Sequence, residues 1–111
     1  MKYLIIVFCL FGFVLACKPG LLIPVEKDVQ RAQERWHDMD LQTLKNAHKL
    51  YLLKCGKCHY TYNPTNYSEE AWLKRMPDMK REAKLDSAEF KLLTKYVLTM
   101  REASKSSNNE R

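Results

Sequence analysis

The chain has 111 residues, a formal net charge of +6 and four cysteines, which bounds it to one small domain whose own core is thin. Acidic residues are interspersed with the lysines, as in Glu26-Lys27-Asp28 and Lys80-Arg81-Glu82. With no nucleic-acid motif and no run of five or six like charges, the charge describes a solvated helical surface and argues against nucleic acid as a partner. Removing Lys2 with a leader lowers the charge to +5, which leaves a basic face suited to an acidic protein partner.

In chain order, Lys2 is followed from Tyr3 to Ala16 by an uncharged apolar run ending Val14-Leu15-Ala16-Cys17. This is a signal-peptide pattern, too short to span a bilayer as a helix. The last four residues resemble the lipobox of bacterial lipoproteins. They place a leader over 1–16, cleavage before Cys17 and a lipid on Cys17; the alternative is ordinary cleavage after Ala16 with a free Cys17. Either route exports the mature chain, anchored on the periplasmic side of the envelope or soluble in the periplasm.

Residues 17–39 read as a spacer followed by a short helix. Pro19-Gly20 and Pro24 keep the start extended, and Val29, Ala32 and Trp36 fall at helical spacing on what reads as the domain surface. The domain proper is placed over 40–103, with a fraying tail at 104–111 that has no apolar residue. Asp40 is a good N-cap for a helix in which Leu41, Leu44, Ala47, Tyr51 and Leu52 lead toward Cys55. His48 in that helix reads as a surface or packing histidine. Residues 60–67, with Asn63-Pro64, read as a loop. Ser68, followed by Glu69 and Glu70, starts another helix, with Trp72, Leu73, Met76 and Met79 on one face. Pro77 is expected to kink or end it, which would leave Met79 on a turn. Asp86-Ser87-Ala88-Glu89 starts the last helix, whose inner face carries Phe90, Leu93, Val97 and Met100, with Tyr96 beside them.

Cys55-Gly56-Lys57-Cys58-His59 carries the chemistry, because it packs two thiols and an imidazole into five residues. That spacing suits one covalently attached haem c: two thioethers fix the macrocycle edge, and the histidine after the second cysteine reaches the iron. A structural zinc site wants four ligands, and only the unpaired His37 and His48 remain to complete one. A redox dithiol belongs after a strand and has no use for His59. With His59 proximal, the distal ligand comes from later sequence. Methionine there raises the potential and suits an electron carrier. Met100 reads as core, and from the residues alone both Met79 and Met76 stay open.

Lys54-Cys55-Gly56-Lys57-Cys58-His59, then Trp72, Pro77-Asp78-Met79, Ala83-Lys84-Leu85 and Tyr96-Val97, resemble the small monohaem class I cytochromes c of bacterial lipoprotein type. The resemblance covers about residues 40 to 100. It implies an all-α cytochrome c fold of three to five helices around one covalent haem, with Cys55 and Cys58 as thioether sites, His59 as proximal ligand and Met79 as distal ligand. It also implies that the first and last helices cross near Ala47, Tyr51, Leu93 and Tyr96. This chain has Ala47 where the family often has glycine.

No nucleophile stands beside a base and no second CxxCH is present, so the expected function is single-electron carriage between redox partners in the envelope rather than catalysis. Lys54, Lys57, Lys80 and Lys84 are candidates for steering those partners. Two other readings stay open: a haem-bearing subunit of a larger oxidoreductase, and a haem sensor with a displaceable distal ligand.

Overall fold

The computed structural model describes residues 23–56 and 62–103. Among the described residues there are four helices: α1 (Glu26–Gln33), α2 (Leu41–Cys55), α3 (Glu69–Glu82) and α4 (Ser87–Met100), with a 3-10 turn at Pro64–Asn66 between α2 and α3. Among the described residues there is no strand, and the all-α expectation holds.

The starts follow local chemistry. Asp40 accepts from the Thr43 amide at 2.7 Å, Ser68 from Ala71 at 3.1 Å and Asp86 from Glu89 at 2.8 Å. Each cap satisfies one of the amides that a helix N-terminus leaves without a partner. These same bonds hold the Asp40 and Asp86 carboxyls below their usual range. At α1 the N-cap is Val25, which has no side-chain acceptor. The third helical residue, Asp28, compensates by accepting from the Val25 amide at 2.8 Å and pairing with Arg31.

Every helix contributes to one core. α2 and α4 cross where Ala47, Tyr51, Leu93 and Tyr96 are all buried, as the resemblance implies, and the Tyr51 and Tyr96 rings lie 5.2 Å apart. Ala47 is fully buried at this crossing, so a methyl group occupies the contact. His48 is buried as well, its Nδ1 2.9 Å from the Tyr96 hydroxyl. Burial lowers its pKa, which keeps the ring neutral and makes it a packing histidine.

Two expectations change. The segment ahead of Asp40 is not a surface appendage: Val29, Ala32 and Met39 belong to the core, and α1 packs on both α2 and α4. Trp36 is half-buried there, with Arg35 4.8 Å and Lys95 5.9 Å from its ring centre. Pro77, in turn, does not end its helix; α3 continues through it to Glu82. The reason is packing on one side and solvent on the other. Trp72 and Met76 fix the preceding turn in the core, while Pro77 and Leu73 face outward, so the Leu73 carbonyl that loses its amide partner is open to water. Met79 therefore sits on a helix rather than a turn.

The end of α3 shows strain of a defined kind. The Leu85 amide bonds the Lys80 carbonyl at 3.0 Å and the Lys84 amide bonds that of Arg81 at 3.3 Å, with Lys84 at φ 54°. This is a Schellman closure with lysine where glycine is favoured, and buried Leu85 supplies its hydrophobic contact. A left-handed non-glycine residue costs roughly 1–2 kcal/mol, partly recovered in the unfolded chain, which glycine makes more flexible. Lys84→Gly is expected to stabilise by about 0.5–1 kcal/mol, read as a thermal midpoint a few degrees higher. A lower midpoint would mean that the lysine side chain contributes more than its backbone costs.

Candidate haem site

Cys55 is the last residue of α2, brought to the domain surface by a helix whose buried face, Leu44, Ala47 and Tyr51, is fixed in the core. Gly56 follows as the C-cap, its amide on the Leu52 carbonyl at 3.3 Å. Cys58 and His59 lie outside the described residues, as does Cys17. Cys55 is a half-buried free thiol, and burial pushes its pKa up to about 11. Leu52 and Leu53, just before it, are 42 % and 64 % exposed. Apolar surface left open beside the thiol is what a covalently held macrocycle would cover.

Tyr51, one turn before Cys55, links this helix end to the next part of the site by donating to the Tyr62 carbonyl. Burial raises the phenol pKa of Tyr51, so it remains a neutral donor. Tyr62 begins a cleft between the 62–67 segment and α3, lined by Tyr62, Tyr67, Ala71, Trp72, Arg75 and Met79. The aromatic walls stack edge to face: Tyr62 with Tyr67 at 5.8 Å, and Tyr67 with Trp72 at 5.6 Å. Trp72 is 2 % exposed and its Nε1 donates to the Pro64 carbonyl at 3.0 Å, which fixes the 3-10 turn onto α3.

The two candidate methionines part company here. Met76 is 3 % exposed within the core, whereas Met79 is half-buried and lines the cleft. The cleft is narrow, enclosing about 10 Å³, and presents one thioether and one guanidinium beside its aromatic rings; of these, the Met79 thioether is a group that could bind a haem iron. Among the described residues, no group of three or more His, Cys, Asp or Glu is placed to hold a bare metal ion.

Sequence reasoning singled out Trp72 and Met79 but missed Tyr62, Tyr67, Ala71 and Arg75. Spacing contained part of the signal: Ala71, Arg75 and Met79 recur every four residues on one stripe of α3. Two of the proposed steering lysines are engaged locally. Lys54 lies 3.8 Å from the Glu89 carboxylate and Lys80 5.2 Å from the Phe90 ring centre. Lys84 is exposed, and Lys57 lies outside the described residues.

The family model for dihaem cytochrome c matches residues 51–111, more than half of the chain. The chain belongs to the dihaem cytochrome c family. It is thus a c-type cytochrome, with haem c as its cofactor and electron transfer as its field of action. The match takes in the attachment motif, the cleft, α3 and α4. The family is named for two haems, whereas this sequence contains a single CxxCH. No curated protein and no solved structure matches the chain.

Proposed function

We propose that this family member is a one-haem electron carrier, held at the periplasmic face of a membrane by a lipid on Cys17. The reading rests on one attachment motif, Cys55 to His59, joined through Tyr51 and Tyr62 to a cleft at which Met79, and not Met76, is available. When bound, the haem supplies a reversible one-electron couple at iron. The chain's own residues set the conditions for that couple. Cys55 and Cys58 would hold the macrocycle edge by thioethers, and His59 and Met79 would bind its iron. Trp72 and Tyr67 shield the Met79 side from water, which favours the lower-charged reduced state. No catalytic group is assigned. The partners are redox proteins of the envelope, approached by a basic surface to which exposed Lys84 contributes.

The anchor is lipid rather than a spanning helix. In support, the leader ends in a lipobox-like Val14-Leu15-Ala16-Cys17 and its apolar run is too short to span a bilayer as a helix. The mass of the purified mature protein tests the whole assignment. The expected value corresponds to a chain starting at Cys17, diacyl modification of that residue and one covalent haem. A mass carrying two haems, or none, overturns the one-haem reading; a mass without lipid moves the protein to the soluble periplasm.

A further inference from the structure

Two branched apolar side chains ahead of α1 serve neither the core nor the cleft: Ile23 is 65 % exposed and Val25 56 %. They do not belong to a loose end. Pro24 between them is fully buried, which pins the chain to the domain, and in extended backbone alternate residues take the same side. Val25 is held by both of its backbone groups: its amide donates to the Asp28 carboxylate at 2.8 Å, and its carbonyl accepts from the Asp28 and Val29 amides at 2.9 and 3.3 Å. The fold thus fixes a short apolar edge and leaves it facing outward.

What lies beside that edge follows from the sequence. Leu21-Leu22-Ile23-Pro24-Val25 carries no charged residue, and only residues 18–22 separate Cys17 from Ile23. Six steps of fully extended chain span at most about 20 Å. A lipid on Cys17 keeps Ile23 within that reach of a bilayer, so the tether makes the encounter intramolecular and a small apolar contact suffices to hold it. Branched apolar side chains gain by entering the boundary between headgroups and acyl chains. The stretch from Lys18 to Lys27 sets two lysines against one glutamate, so the contact is chiefly apolar and needs no anionic lipid. Leu52, Leu53 and Leu73, exposed on α2 and α3, have no such tether beside them. We propose that Ile23 and Val25 seat the domain on the lipid surface, so that anchor and edge together set which face the domain turns toward the bilayer. This rests on the reading that Cys17 is lipidated.

The test uses the full-length, haem-loaded protein as the cell processes it, inserted in phosphatidylcholine vesicles that include a phosphatidylcholine with a photoreactive diazirine on its acyl chain. After illumination, adducts are mapped by mass spectrometry in wild type and in the Ile23→Ser/Val25→Ser double variant, whose serine N-cap preserves the start of α1. Wild type is expected to carry lipid adducts on residues 23–26, and the double variant to lose them severalfold with its lipid anchor and thermal midpoint unchanged. Adducts confined to residues 17–22, adducts centred instead on Leu52, Leu53 or Leu73, or a double variant that labels as strongly as wild type overturn the proposal while the anchor stands. An edge covered by a second copy of the chain gives no lipid adduct there and overturns it likewise. Failure of the underlying reading registers separately: a mature mass without lipid on Cys17 removes both.

Discussion

Replacing Met79 by alanine is expected to abolish the methionine-to-iron charge-transfer band near the red end of the oxidised spectrum while the haem stays covalently attached. With the thioethers on Cys55 and Cys58, as proposed, and α3 held by Trp72 and Met76, loss of one half-buried side chain leaves both attachment and fold in place. The midpoint potential falls, since a thioether opposite histidine raises it, and the reduced iron becomes open to carbon monoxide. Met76→Ala behaves in the opposite way. Met76 is 3 % exposed in a core shared with Trp72 and Leu93, and truncation there leaves a cavity costing about 2–5 kcal/mol. Its spectrum keeps the band for as long as the protein is folded. If Met79→Ala retains the band and Met76→Ala loses it, the distal ligand is Met76. If neither variant loses it, the distal ligand lies elsewhere.

Trp72→Ala carries the largest expected loss of stability, about 3–5 kcal/mol. Its indole is 2 % exposed, stacks against Tyr67, and spends its only polar hydrogen on the Pro64 carbonyl. Truncation therefore opens a cavity and leaves a buried carbonyl without a donor. For a domain of this size the thermal midpoint is expected to drop by more than about 10 °C. Trp72→Phe separates the two effects: it keeps most of the apolar volume and loses the hydrogen bond, at a cost of about 1–3 kcal/mol. Chemical denaturation of the haem-loaded protein checks both values. A cost below about 1 kcal/mol for Trp72→Ala would mean that the 3-10 turn and cleft wall do not depend on this residue.

With Met79 as the proposed iron ligand, the stability order and the haem chemistry are tied to neighbouring positions of one helix. Trp72 and Met76 face inward and hold α3 to the core, and Trp72 also lines the cleft with Ala71, Arg75 and Met79. Tyr67 stands between the two sets, in ring contact with Trp72 and under the Arg75 guanidinium. A change to packing on one stripe is expected to alter access on the other, which is why the methionine variants are read by spectrum and stability together.

By itself the sequence determined what depends on neighbours along the chain. Asp40, Ser68 and Asp86 cap helices because a short polar side chain reaches an amide three residues on, whatever surrounds it. Apolar spacings of three and four marked the inner faces of α2 and α4, and the Cys55 to His59 spacing marked the haem chemistry. The tertiary structure decided the matters that depend on residues far apart. It carried α3 through Pro77, because packing fixed the turn before it and solvent received the freed carbonyl. It buried Val29 and Ala32, because α4 offers a face that no local rule reveals. It also left Met76 in the core and Met79 half-buried beside the cleft, although the two share one side of α3, because the cleft's far wall, Tyr62 and Tyr67, comes from a different segment.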